Sequence, residues 1–160
     1  MGFSLTYDTS MLDKQILQAL DSTGVASPLH TPGYTVRSDD GREWQYVQND
    51  SSDVAAVAGG PAALAQDTDG YVVTPDVSDA GSTGTGIRGA YMSVLTDQYY
   101  GWIQTKGKVV KAPCSTNVAA GNALYAGTDG RWDVATVGTH EPRAQALEAD
   151  TEGYADIYLM

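Results

Sequence analysis

The feature that most constrains this chain is its punctuation. Glycine-ended turns recur between short runs of β-forming residues: Ser38-Asp39-Asp40-Gly41, Thr68-Asp69-Gly70, Thr128-Asp129-Gly130 and Asp150-Thr151-Glu152-Gly153. Asp-Gly between two such runs is a strong hairpin signal, because glycine takes the positive φ that a tight reversal needs at no steric cost. The runs themselves cover 34–37, 42–48, 71–74, 87–95, 99–104, 131–137 and 154–159, and are rich in Tyr, Val, Thr, Ile and Trp. Turns at intervals of about 8–12 residues predict roughly nine strands and a mainly β body, a β-barrel or β-sandwich. The stretch 143–149 could pass as helix by propensity, but its alternation and its place between strands predict β.

The best-patterned strand is Tyr99-Tyr100-Gly101-Trp102-Ile103-Gln104, which reads as a central strand with aromatics packing inward and polar partners outward. Lys106-Gly107-Lys108 reads as the turn that ends it. In the run 42–48, Trp44 and Tyr46 share one face and Glu43, Gln45 and Val47 the other. The alanine-rich run 53–65 is cut by Gly59-Gly60-Pro61, so loop with short strands or a turn of helix is expected there.

Residues 1–33 differ from this body. Residues 1–9 read as an extended arm. Met11, Leu12, Gln15, Ile16, Ala19 and Leu20 then recur at helical spacing, after the good N-caps Asp8, Thr9 and Ser10 and before Gly24 as a stop. One short N-terminal helix of roughly ten residues is predicted, too short to be stable alone. Its apolar stripe must therefore rest on the chain's own body, on a sister subunit or on another protein. Pro28 and Pro32 hold the following linker extended. The domain reading is an arm, helix and proline-containing linker over 1–33, and a β-rich domain over 34–160.

Charge removes one class of function. Nine Lys and Arg stand against 20 Asp and Glu, a net charge of −11. Nucleic-acid binders meet phosphate with clustered basic side chains, and the densest group here is Lys106, Lys108 and Lys111. Nucleic acid is not an expected partner. No apolar run approaches the roughly 20 residues of a membrane span, and the first residues lack the basic and apolar regions of a signal peptide, so no membrane partner is expected either. The single cysteine, Cys114, allows no intrachain disulfide.

Motifs that could carry chemistry are thin. Gly84-Thr85-Gly86-Ile87-Arg88-Gly89 fits G-x-G-x-x-G, but a strand rather than the required helix is predicted to follow it. His140-Glu141 lacks the second histidine of a zinc-protease helix, and His30 lies in the linker. Cys114 paired with either histidine would be the only thiol dyad available. Asp67-Thr68-Asp69-Gly70 lacks the remaining ligands of a calcium loop. Asn49-Asp50-Ser51 fits a glycosylation sequon. No catalytic residue, metal ligand or cofactor site is expected, and the chain reads as a non-enzyme.

The C-terminal half carries a longer signature: Tyr100-Gly101-Trp102-Ile103-Gln104, Ala119-Ala120-Gly121-Asn122-Ala123-Leu124, Thr128-Asp129-Gly130, Gly138-Thr139-His140-Glu141, and Ala144-Gln145-Ala146-Leu147-Glu148-Ala149 before Gly153-Tyr154-Ala155-Asp156-Ile157. This series resembles the decoration (cement) and minor head proteins of tailed bacteriophages, over about 88–160. The resemblance implies a β-rich knob on the outer surface of an assembled capsid, made in the host cytoplasm and carried on the virion. It implies two partners, the major capsid protein and the chain itself, as a homotrimer. With that role, the apolar side chains of the arm, Phe3, Leu5, Tyr7, Met11, Leu12, Ile16 and Leu20, become the expected capsid contacts. The second reading is a carbohydrate-binding or adhesive β module on a phage head or fibre, using Tyr99, Tyr100 and Trp102 on an exposed face.

Overall fold

The computed structural model of the chain describes residues 6–7, 24–51, 54–65, 70–76 and 86–160. The helix expected over 11–20 lies outside the described residues. Within them the protein is all β, with eleven strands: β1 (Thr6–Tyr7), β2 (Thr35–Ser38), β3 (Glu43–Asn49), β4 (Pro61–Leu64), β5 (Val72–Thr74), β6 (Ile87–Tyr91), β7 (Tyr100–Pro113), β8 (Ala123–Ala126), β9 (Trp132–Val134), β10 (Ala144–Ala146) and β11 (Tyr154–Leu159).

Strands β3, β5, β4, β6 and β7 follow one another by hydrogen bonding, and β7 returns to β3. A closed five-stranded barrel results, settling the choice between barrel and sandwich. Closure leaves none of the five with two open edges. The closing pair is also the longest in the barrel, running antiparallel from Glu43↔Lys106 to Gln48↔Tyr100. Val47, Ala62, Val73, Tyr91, Leu95 and Ile103 form its core with Ala56.

Strand β7 continues past the barrel and founds a second sheet, in the order β7-β11-β10-β8-β9. An isolated parallel bridge, Cys114↔Trp132, brings β9 back against the chain just beyond β7. Val109, Val118, Leu124, Trp132, Ile157 and Leu159 pack inside this lobe with Cys114, five alanines, and Ile87 and Ala90 from the barrel. Along β11 the burial alternates strictly, with Ala155, Ile157 and Leu159 in and Tyr154 and Tyr158 out, as a sheet with one wet face requires.

The expected turn at Lys106-Gly107-Lys108 does not form. The strand bends there instead of ending. Gly107 takes a φ of 96°, and the Gln104 side-chain amide donates to the carbonyls of Lys106 (3.0 Å) and Lys108 (2.9 Å), which ties the bend together. Gln104 is therefore buried rather than outward, at 3% exposure. The expected strand over 87–95 stops at Tyr91, and the strand over 131–137 at Val134. The alanine-rich run supplies β4, beginning at Pro61, which pairs with Ala90.

The linker lies on the barrel. Val25 and Tyr100 exchange both backbone hydrogen bonds (3.1 and 2.9 Å), and the Leu29 N–H donates to the Tyr46 hydroxyl at 3.2 Å. Strand β1 pairs in parallel with β2, Thr6 opposite Arg37 and Tyr7 opposite Ser38.

Candidate functional site

Five aromatic residues, Tyr34, Trp44, Tyr46, Tyr100 and Trp102, gather on the outer wall of the barrel. Alternation on β3 and β7 turns Val47 and Ile103 into the barrel and Trp44, Tyr46 and Trp102 out of it, where Val36 of β2 joins them. His30 from the linker stacks on Tyr34 (centroids 5.4 Å, planes 13° apart) and meets the edge of Tyr46 at 5.2 Å. Tyr46 and Trp102 meet edge to face at 5.2 Å, a favoured geometry for ring quadrupoles. The expected direction of packing is thus corrected: Trp102 faces away from the barrel core into a second, aromatic one. At 9% exposure Trp102 offers no platform to a ligand.

The wet face of the second lobe exposes a group of apolar side chains, Tyr154 (49%), Tyr158 (43%), Val110 (63%) and Leu147 (45%), while Leu29, Tyr71, Val94 and Val137 are exposed singly elsewhere. A bulge shapes this face. The β11–β7 register shifts between Ala155 and Ile157, and Lys111 opposite the shift has a φ of 53°. A non-glycine residue in that region stores strain. Asp156 holds the bulge: its carboxylate accepts from the Lys111 N–H at 3.1 Å and pairs with Lys108 Nζ at 2.7 Å. Those contacts, the Lys108 hydrogen bond first, hold the Asp156 carboxyl below its ordinary pKa.

Lys111 and Tyr154 form a ridge between two clefts. One, of about 440 Å³, is lined by Glu148, Thr151, Glu152 and Ala155. The other, of about 470 Å³, is lined by the loop residues Val54, Ala55, Val57 and Ala58 with Pro113, Asp129, Gly130 and Arg131. That loop is anchored across the two lobes. The Trp132 indole N–H donates to the Gly59 carbonyl at 2.8 Å, and a Cβ on Gly59 would come within 2.9 Å of Ala112 Cα.

The chemical motifs resolve into structural roles. Cys114 is fully buried, its Sγ donating to the Ala112 carbonyl at 3.3 Å, and burial pushes the thiol pKa up to about 11. A thiol held that high is protonated at neutral pH and is not an activated nucleophile. His140 stacks face to face on Tyr125 at 3.7 Å and its Nδ1 accepts from the Thr136 N–H, so it closes a turn. In the glycine-rich stretch, Ile87–Tyr91 is strand β6, so the helix a pyrophosphate needs is not there. Gly86 takes a φ of 95° at the entry to that strand, and Gly89 lies so close to β7 that a Cβ would sit 2.0 Å from the Gln104 carbonyl oxygen. The sequon asparagine, Asn49, is wholly buried; its amide donates to Ser51 Oγ and the Leu95 carbonyl and accepts from the Tyr91 hydroxyl at 2.8 Å. Among the described residues no three His, Cys, Asp or Glu side chains gather as metal ligands, and no helix is long and apolar enough to cross a membrane.

Of the arm residues expected to contact a capsid, Tyr7 falls in β1, with its backbone opposite Ser38. Phe3, Leu5, Met11, Leu12, Ile16 and Leu20 lie outside the described residues. Sequence reasoning missed the bulge and its ridge, because the positive φ of Lys111 and Glu152, both non-glycine, leaves no mark in residue type. Compared with protein-family models and with curated protein sequences, the chain matches none.

Proposed function

We propose that the protein is a virion structural component that binds the outer surface of an assembled phage capsid and stabilises it. One observation carries the reading. The residues on which the likeness to decoration and minor head proteins rests are turn and strand determinants of the second lobe and of the barrel strand that founds it. Gly121 and Gly130 take positive φ at turns, Asn122 Oδ1 accepts from the Ala119 N–H, and Leu124, Ala144, Ala146 and Ile157 are core. The likeness is thus to a scaffold, which is what a cement protein supplies. The partners are the major capsid protein and further copies of this chain, arranged as a trimer. Attachment then runs through several arms at once, which turns a weak contact per arm into tight binding overall. The arm contacts are Phe3, Leu5, Tyr7, Met11, Leu12, Ile16 and Leu20.

The second reading, a carbohydrate-binding module, draws on a different face from the one the sequence suggested. Tyr154 and Tyr158 stand exposed beside the clefts of the second lobe, whereas Trp102 is buried. Cosedimentation of the purified chain with heads of the encoding phage that lack it tests the first reading. Saturable binding to heads with no specific hit on a glycan array supports it; glycan hits without head binding favour the second.

A further inference from the structure

Two arginines in this acidic chain face one small cleft, and one of them, Arg143, carries a buried Nε–H with no acceptor. The cleft, of about 150 Å³, lies where the barrel meets the second lobe and is lined by Ile87, Arg88, Gly89, Thr105, Arg143, Leu159 and Met160. Arg143 is held by the sheet: its N–H donates to the Leu124 carbonyl and its own carbonyl accepts from the Met160 N–H. Its Nη2 pairs with Glu141 at 2.8 Å, but its Nε is buried with no hydrogen-bond partner. Arg88, exposed on β6, has no ion-pair partner among the described residues. An unsatisfied buried donor on a charged group is costly, and a guanidinium is a fork shaped for a carboxylate or phosphate.

We propose that this cleft is a binding site for a small oxyanion, held between the Arg88 guanidinium and Arg143 Nε with the Thr105 hydroxyl as a further donor. Glu141 neutralises one of the two arginines and leaves the Arg88 charge without a side-chain counter-ion among the described residues of a chain of net charge −11. Size narrows the ligand. At roughly 30 Å³ per water the cleft holds about five water volumes. That suits an acetate, a phosphate or the end of an Asp or Glu side chain. A carboxylate presented by a partner protein and a free phosphate offer the same chemistry.

The test is a titration of the ¹⁵N-labelled full chain by NMR with sodium acetate and with inorganic phosphate, against sodium chloride at matched ionic strength. Saturable shifts at Arg143 Nε–H and at the Gly89 and Thr105 amides are expected with the oxyanions and not with chloride. Arg88→Gln changes an exposed side chain, so the fold should persist and affinity should fall roughly tenfold or more. Arg143→Lys keeps the charge but removes Nε–H, and should weaken binding as well. Tighter binding of acetate identifies a partner's acidic side chain as the natural ligand, and tighter binding of phosphate a free phosphate. Shifts that track ionic strength alone, or that survive Arg88→Gln unchanged, overturn the site and leave water as the acceptor for Arg143 Nε.

Discussion

Trp44 and Trp132 are both fully buried indoles, but they are not equivalent. The Trp132 N–H reaches the Gly59 carbonyl and ties the loop of the first lobe to the core of the second, whereas the Trp44 N–H has no partner and its ring carries the Arg42 guanidinium at 5.1 Å. Replacing Trp132 by Phe removes the donor and orphans a buried carbonyl; replacing Trp44 removes a donor that had no acceptor. Trp132→Phe should therefore cost about 1–3 kcal/mol more than Trp44→Phe in urea unfolding. Equal losses would contradict the role given to the Gly59 contact. Asp156 is tested by pH. Its folded pKa lies below the ordinary carboxylate value of 3.8, so its contribution is fully present above that value and disappears as pH falls through the lowered folded one. The unfolding midpoint should fall more between pH 5 and roughly pH 2–3 for the native chain than for Asp156→Asn. The effect is small, because Lys108, the partner in the ion pair, is largely exposed. Parallel profiles would show that the bulge does not depend on this charge.

Strands β6 and β7 illustrate what a sequence can and cannot reveal. Alternation at Trp44, Tyr46, Trp102 and Ile103 was legible, because the period of two is imposed by the pleat itself. The Asp40-Gly41 hairpin between β2 and β3 and the final hairpin ending on β11 were legible from turn chemistry. The direction of the aromatic face was not, since a strand shared by two sheets buries both faces and alternation cannot say which core is which. The turn expected at Gly107 failed for a related reason: a glycine that ends one strand and a glycine that bends a longer one look the same until the Gln104 staple is seen. The ridge at Lys111 was illegible because it depends on register across β7 and β11. Gly89 shows the cost of a close approach within these elements. Its Cβ would overlap the Gln104 carbonyl oxygen, a backbone atom that cannot turn aside. Gly89→Ala should destabilise the protein by about 3 kcal/mol or more, at the upper end for overpacking, or prevent folding. A variant with native stability in thermal unfolding would show that β6 and β7 can separate freely.

At the scale of the whole molecule, β7 is the one strand that belongs to both lobes, and the loop around Gly59 is a second tie between them. The body is a closed five-stranded barrel joined through β7 to a second sheet. Pairing of β1 with β2 brings the start of the chain to one edge of that body, and the bridge of Val25 to Tyr100 brings it back onto the body at the far end of the β3–β7 pair. The segment with the apolar helical pattern lies between those two anchors, so the decoration reading gives the capsid contact to residues that start and finish on the knob. The measurement that bears most directly on this is cosedimentation with phage heads for the full chain and for a variant lacking residues 1–23, each first shown to be folded by its aromatic circular dichroism. The account predicts that the full chain pellets with heads to saturation and that the shortened chain, still folded, stays in the supernatant. A full chain that never pellets with heads, or a shortened chain that decorates them as well as the full one, would contradict it.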